Sequence, residues 1–182
     1  MSNVEKKKEP GMLTLVMVLA IISLVMAFLL GMVNNVTAPA IKENTIKKTQ
    51  SLMNQVLPAD SYEKIEYTGT TPYVDEVYQA GDAGYVVIVT PTSGFSGGIN
   101  MMAGISIDGA VTGIAIINHA ETSGLGANAT KPEWQAQFID TTEEVKVTKD
   151  GGTIQSITGS TITSRAVCDG VNAARAAVAE LG

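Results

Sequence analysis

From Gly11 to Val33 the chain carries no charged residue, and only Thr14 and Ser23 interrupt a run of Leu, Val, Met, Ile, Ala, Phe and Gly. Wound as a helix at about 1.5 Å per residue, this run reaches about 34 Å, enough to cross a hydrocarbon core of about 30 Å. It also explains a mean hydropathy of +0.19. Two other readings compete with a membrane span. A cleaved signal peptide would use Lys6-Lys7-Lys8 as its basic region and Ala38-Pro39-Ala40 as its exit. The apolar run, however, exceeds the usual 7–15 residues, and a proline falls inside the cleavage site. A buried core helix needs no uniformly apolar circumference, and this segment has no polar face. A retained single-pass anchor over residues 11–34, behind a cytoplasmic tail of residues 1–10, is the favoured reading.

Charge gives the orientation less firmly than the span. Lys6, Lys7 and Lys8 argue for an inside N-terminus, while Lys42, Lys47 and Lys48 follow the span closely. A short basic tail is easily retained, and a long domain translocates largely regardless of charge. The expectation is a cytoplasmic N-terminus and an extracytoplasmic folded domain at the cell membrane.

The net charge is −6, and the tail holds three lysines against two glutamates, so the remainder carries −7. Such a chain is a poor nucleic-acid binder. Cys168 is the sole cysteine, which rules out an internal disulfide and a cysteine cage for metal or iron–sulfur. His119 is the sole histidine, so a histidine-rich metal site is excluded as well.

Residues 35–84 read as a membrane-proximal helix and a connecting region. Ile41, Ile46, Met53 and Val56 predict a helix over Val36–Leu57 that stops before Pro58. Ala59–Ala83 reads as irregular strands and loops. A domain over residues 85–182 follows. Tyr85–Thr90 is a strand ended by Pro91. Ile99–Ile107 and Val111–Ile117 form a hairpin around Asp108-Gly109, a pair suited to positive φ angles. Thr130–Phe138 is a short helix with Pro132 in its first turn. Val145 and Val147 mark a further strand, and Asp150-Gly151-Gly152 a turn. Val167, Val171, Ala174, Val178 and Leu181 fall at helical spacing, with Thr163 or Ser164 as the cap. Hairpin-linked strands imply α+β with a largely antiparallel sheet and a C-terminal helix.

The run Thr158-Gly159-Ser160-Thr161-Ile162-Thr163-Ser164-Arg165 precedes that helix. Gly159 allows close backbone approach, a helix start attracts anions, and Arg165 could bond a phosphate. The local chemistry leaves two readings open: a capped helix with surplus hydroxyls, which is the commoner, and a phosphate site. A second loop, Glu121-Thr122-Ser123-Gly124-Leu125-Gly126, offers N–H groups and a hydroxyl to a ligand, against the plainer reading of a structural turn. His119 and Cys168 read as structural residues, and Trp134 and Phe138 as anchors of the short helix.

Thr158-Gly159-Ser160-Thr161 resembles the Ser/Thr-Gly-Ala-Thr flavin-transferase motif of the FMN-binding domain family. Ser160 stands for the alanine. Gln155 stands where the family has an aspartate. The resemblance implies a flavin mononucleotide joined through its phosphate to Thr161, with Thr163 a less favoured acceptor, and a separate flavin transferase that takes the FMN from FAD. Gly94-Phe95-Ser96-Gly97-Gly98, Ile105 to Ile114, and His119 to Gly126 are similar to the same domain in the G subunits of Rnf electron-transport complexes, and the C subunits of sodium-translocating NADH:quinone reductases share the pattern. That similarity implies that Glu121, Thr122, Gly124 and Leu125 lie beside the isoalloxazine. It further implies an electron relay in a complex coupling ferredoxin:NAD oxidoreduction to Na⁺ or H⁺ translocation, among iron–sulfur and FMN-bearing membrane subunits. The alternatives are the quinone-reductase subunit, a non-redox extracytoplasmic scaffold, and a secreted ligand-binding protein.

Overall fold

The computed structural model describes residues 11–182. Lys6-Lys7-Lys8 and the rest of the tail lie outside the described residues. The chain divides into two compact units at Lys47/Lys48.

In the first unit the apolar run is helical. Helix α1 is assigned from Met12 to Val56 without a break, with Pro39 inside it. The sequence predicts a separate helix over Val36–Leu57; instead these residues, as far as Val56, belong to α1, since an internal proline removes a single backbone bond of the ladder. Leu19, Ile22, Phe28 and Leu30 are all exposed, which is not the behaviour of a buried core helix. Two of the hydroxyls bond their own helix: Ser23 donates to the Leu19 carbonyl at 2.9 Å and Thr37 to the Val33 carbonyl at 2.8 Å. Neither of these two hydroxyls needs water, which suits an apolar medium.

The second unit holds an antiparallel sheet of five strands in sequence order: β1 (Glu63–Ile65), β2 (Val74–Gln79), β3 (Gly84–Val89), β4 (Asn100–Ser106) and β5 (Val111–Asn118). It therefore takes in two short strands from the stretch read as connecting region. The order is a meander, in which each strand pairs with the next. The hairpin over Asp108-Gly109 is present, closed by bonds from Gly109 N–H to the Ser106 carbonyl (2.9 Å) and from Ser106 N–H to the Ala110 carbonyl (2.8 Å). Only Gly109 of the pair takes positive φ, at 79°, so glycine is required there and aspartate is not strained.

Both faces of the sheet are covered, which is why β3 and β4 read as unbroken apolar runs rather than alternating ones. Val87, Val89, Met101, Ala103 and Ile105 share one core with Val167, Val171 and Ala174 of α3 (Thr161–Leu181). Val86, Ile88 and Met102 share another with Met53, Val56 and Leu57 at the end of α1. Burying a valine completely contributes about 1.5–3 kcal/mol, so the α3 stripe is a main source of the domain's stability. The Thr112 hydroxyl bonds the Val56 carbonyl at 2.5 Å, tying the last helical turn to β5.

The segment after β5 forms a 3-10 turn at Gly126–Thr130, helix α2 (Pro132–Gln135) with Pro132 in its first turn, and a second 3-10 turn at Ala136–Phe138. Trp134 and Phe138 meet edge to face, 5.2 Å between centroids.

Two expectations are corrected. Val145 and Val147 are buried, as the alternation implies, but form no strand; Val147 makes an isolated parallel bridge with Ile154. The reason is Asn172. Its amide accepts from Val145 N–H at 2.8 Å and donates to the Val145 carbonyl at 2.9 Å, replacing a neighbouring strand. The cap of α3 is Ser160, not Thr163 or Ser164. Ser164 lies one turn in, and its hydroxyl bonds back to the Ser160 carbonyl at 2.9 Å while accepting Ile157 N–H at 2.9 Å.

Candidate functional site

Four segments meet at the start of α3: the glycine-rich loop after β3, the loop after β5, the 3-10 turn Thr148–Asp150, and residues 159–163. They enclose a cavity of about 320 Å³.

Its floor is built by hydroxyls. Thr161 is half-buried and begins the 21-residue helix. The N–H groups of a first turn have no intrahelical acceptor, and the Ser160 side chain caps none of them. Gly159 turns the chain into the helix at φ 77°; a Cβ there would lie 3.2 Å from Leu125 Cδ2, so the glycine keeps this wall open.

The loop after β5 is fixed by Glu121, which is buried. Its Oε2 accepts the Thr163 hydroxyl at 2.6 Å, its Oε1 accepts Ser96 N–H at 3.0 Å, and its own N–H bonds His119 Nδ1 at 3.1 Å. One carboxylate thus holds three segments together. Gly126 lies against that bond, and a Cβ there would come within 2.7 Å of Thr163 Oγ1.

Of the residues singled out from the sequence, Gly159, Ser160, Thr161, Glu121, Thr122 and Leu125 line this one cavity. Thr158 is exposed just ahead of it. Gly124 is not in its wall; it turns the loop at φ 76°, and its carbonyl accepts Asn128 Nδ2 at 2.9 Å. Arg165 is also outside the wall. Its Nε and Nη2 each reach Asp150 at 2.7 Å, and the guanidinium holds the Asp150 carboxyl below its ordinary range.

Three lining residues are not legible as such in the sequence: Phe95, Ile162 and Lys149. Phe95 and Ile162 are exposed, so together with Leu125 they make the rim apolar. A single bulky aromatic among Gly and Ser is the signal that could mark Phe95. Lys149 donates to Thr161 Oγ1 at 2.9 Å; nothing in its sequence neighbourhood announces this. Cys168 is buried within α3, and burial, with Asp169 and Asp150 nearby, pushes its thiol up to about 12. It is an inert packing residue.

Hydroxyls, a free helix start, an ammonium group and an apolar rim around one cavity are what a phosphate carrying a flat aromatic group requires. The chain carries an FMN-binding domain: that family matches residues 94–176, and the RnfG N-terminal region matches residues 11–56. The G subunit of the Na⁺-translocating ferredoxin:NAD⁺ oxidoreductase complex of Acetobacterium woodii is 40% identical over 179 residues, covering 86% of each chain. The G subunit of the ion-translocating oxidoreductase complex of Methanosarcina acetivorans is 33% identical over 171 residues, covering 87% of this chain and 90% of that one. The proton-translocating counterpart from Clostridium ljungdahlii is 40% identical over 92 residues, about half of each chain. The chain belongs to the G-subunit family of ion-translocating (Rnf) oxidoreductase complexes.

Proposed function

We propose that this chain is the FMN-bearing, electron-carrying G subunit of a membrane complex that couples ferredoxin:NAD⁺ oxidoreduction to Na⁺ or H⁺ translocation, and that its FMN is esterified to Thr161. The names of its relatives and the FMN-binding domain match support the first half. One observation carries the second: the Thr161 hydroxyl lies in the wall of the cavity that the Glu121–Gly126 loop also lines.

The residues present fit the group. Thr161 offers the ester oxygen, the first turn of α3 offers N–H groups and a positive dipole end, and Gly159 leaves the space a side chain would fill. Thr158, Gly159 and Ser160 form the turn that presents the hydroxyl. Arg165 adds positive charge one turn beyond it, within its pair with Asp150. Thr122 and Leu125, which line the cavity, would flank the ring, Gly124 shapes their loop, and Glu121 holds that loop to α3. Bound there, the flavin supplies one- and two-electron chemistry. The protein's part is to hold it in place and to shield one side with Leu125 and Phe95.

Attachment follows from group transfer. A flavin transferase would supply FAD; the Thr161 oxygen would bond the FMN phosphorus as the diphosphate bridge broke, with AMP as the leaving group and release of the hydroxyl proton. The ester keeps the cofactor from being lost to an aqueous compartment, which suits a domain outside the membrane with a cytoplasmic N-terminus. Its neighbours are iron–sulfur and FMN-bearing membrane subunits of the complex.

The test is direct. Protein from cells with an active transferase, denatured and run on a gel, should show flavin fluorescence in its band and an intact mass increased by one FMN phosphoester. Thr161→Ala should abolish both. An unmodified wild-type mass sinks the covalent reading, and loss of flavin in Thr163→Ala but not Thr161→Ala moves the site.

A further inference from the structure

Three basic side chains belong to the turn before α3 and its first helical turns: Lys146, Lys149 and Arg165. Two are taken by acids. Lys146 pairs with Glu144 at 2.8 Å, and Arg165 grips Asp150 with two bonds. Lys149 is in no ion pair among the described residues; its Nζ instead donates to Thr161 Oγ1. We infer that Lys149 is the cation that holds the phosphate esterified at Thr161, and that Arg165 is a positioning residue acting through Asp150. This rests on the proposed attachment at Thr161.

The turn is constructed so that neighbouring residues face different partners. Thr148 N–H bonds the Ile154 carbonyl at 2.8 Å and Gly152 N–H bonds the Val147 carbonyl at 3.1 Å, so both ends of the turn are pinned. Gly151 reverses the chain in the left-handed region at φ 83°. With the backbone so fixed, Asp150 reaches Arg165 on α3, and Lys149 reaches the helix start. A bidentate guanidinium–carboxylate pair has defined geometry. It therefore orients the turn that carries Lys149, while the guanidinium itself lies outside the cavity wall that Lys149 lines.

Chemistry then favours Lys149 over Arg165 as the phosphate's partner. Esterification replaces the hydroxyl hydrogen of Thr161 with phosphorus. The two non-bridging oxygens of the diester come to lie one bond beyond the phosphorus on Oγ1, and Nζ is already within hydrogen-bonding distance of Oγ1 itself. An ammonium group with three rotatable donors can follow those oxygens without rearranging its stem. The nearest buried carboxylate in the wall, Glu121, does not compete for Lys149, because both its oxygens accept protein donors.

The test uses the full-length flavinylated protein in detergent. The ³¹P resonance of the phosphodiester and the visible circular dichroism of the attached flavin are recorded at low and high salt. In the wild type the resonance should move as salt screens the ammonium contact. Lys149→Gln should start at the wild-type high-salt position, lose the salt response and weaken the dichroism. Lys149→Arg should restore the wild-type resonance. Asp150→Asn, which releases the turn but keeps Lys149, should fall between. A Lys149→Gln protein with attached flavin and the wild-type resonance and salt response overturns the inference. If that variant does not fold, Lys149→Arg decides: a resonance displaced and insensitive to salt overturns it equally. Failure of the attachment itself shows separately, as a wild-type protein without the added mass or a Thr161→Ala protein that retains it.

Discussion

Thr163 donates a 2.6 Å hydrogen bond to Glu121, 42 residues earlier, and so fastens the first turn of α3 to the loop that follows β5. The other oxygen of the same carboxylate takes Ser96 N–H from the glycine-rich loop. The geometry of the candidate site depends on this shared acceptor, because it joins all three segments at once, whereas the Ser93 hydroxyl, which bonds Asp169 at 2.8 Å, ties only the glycine-rich loop to α3. Glu121 is thus better understood as the fastening of the site than as a free group aimed into it.

Replacing Glu121 with alanine leaves the Thr163 hydroxyl and Ser96 N–H without their acceptor, and an unpaired buried polar group costs about 1–3 kcal/mol. Glutamine keeps an acceptor for Ser96 and offers an N–H to the Thr163 oxygen, so its loss should be about 1 kcal/mol or less. Urea unfolding followed by the emission of Trp134, the one tryptophan in the chain, measures both. Equal stability of the alanine and glutamine variants would show that the carboxylate fastens nothing.

The Asp150–Arg165 pair makes a pH prediction whose sign is fixed. The hydrogen bond from Arg165 lowers the Asp150 carboxyl below its ordinary value. A carboxylate depressed in the folded state contributes stability above its unfolded pKa, near 4, and that contribution is lost as pH falls through the folded value. The wild type should therefore lose more stability than Asp150→Asn between pH 5 and pH 3, in roughly the range set by an ordinary carboxyl. Both groups are solvent-exposed, so the difference should shrink in high salt. Parallel pH profiles for the two proteins would refute the pairing.

What is legible in the sequence follows from how local each signal is. The strands β3 to β5 are readable because their apolar runs and the Asp108-Gly109 turn are contiguous. Helix α3 is readable because Val167, Val171 and Ala174 share one face. The segment through Val145 imitates a strand because its backbone partners come from the side chain of Asn172, 27 residues later. Lys149 is silent for a similar reason. Its meeting with Thr161 depends on a turn whose course is set by Gly151 and the Val147–Ile154 bridge, and periodicity carries no trace of that. Arg165 is legible as a nearby charge, but its commitment to Asp150 is not.

Asn172→Ala tests the substitute for a strand. It removes both amide bonds to Val145, leaving a buried residue's N–H and carbonyl without those partners. The expected cost is about 1–3 kcal/mol. Hydrogen exchange should quicken at the Val145 amide while β3 and β4 stay protected. Unchanged exchange at Val145 would mean that another group holds this backbone.

Gln155 is where the family motif has its aspartate, and its setting makes the substitution informative. The backbone is held from both sides: Gln137 Oε1 accepts its N–H at 2.7 Å, and Trp134 Nε1 donates to its carbonyl at 2.7 Å. The side chain is exposed. Gln155→Asp should therefore leave the fold and its stability unchanged, because no side-chain contact is exchanged and surface substitutions typically stay within about 0.5 kcal/mol. On the proposed attachment at Thr161, any change in flavin load would then come from encounter with the transferase rather than from the domain. The FMN-modified fraction, read by intact mass early in expression with limiting transferase, should rise in Gln155→Asp. Trp134→Phe removes the indole donor but keeps the ring beside Phe138, so the motif loses one of its two backbone tethers. That variant should lower the modified fraction while Gln155→Asp raises it. If neither moves it, position 155 is not read during attachment, and Thr158 to Thr161 suffice as the signal.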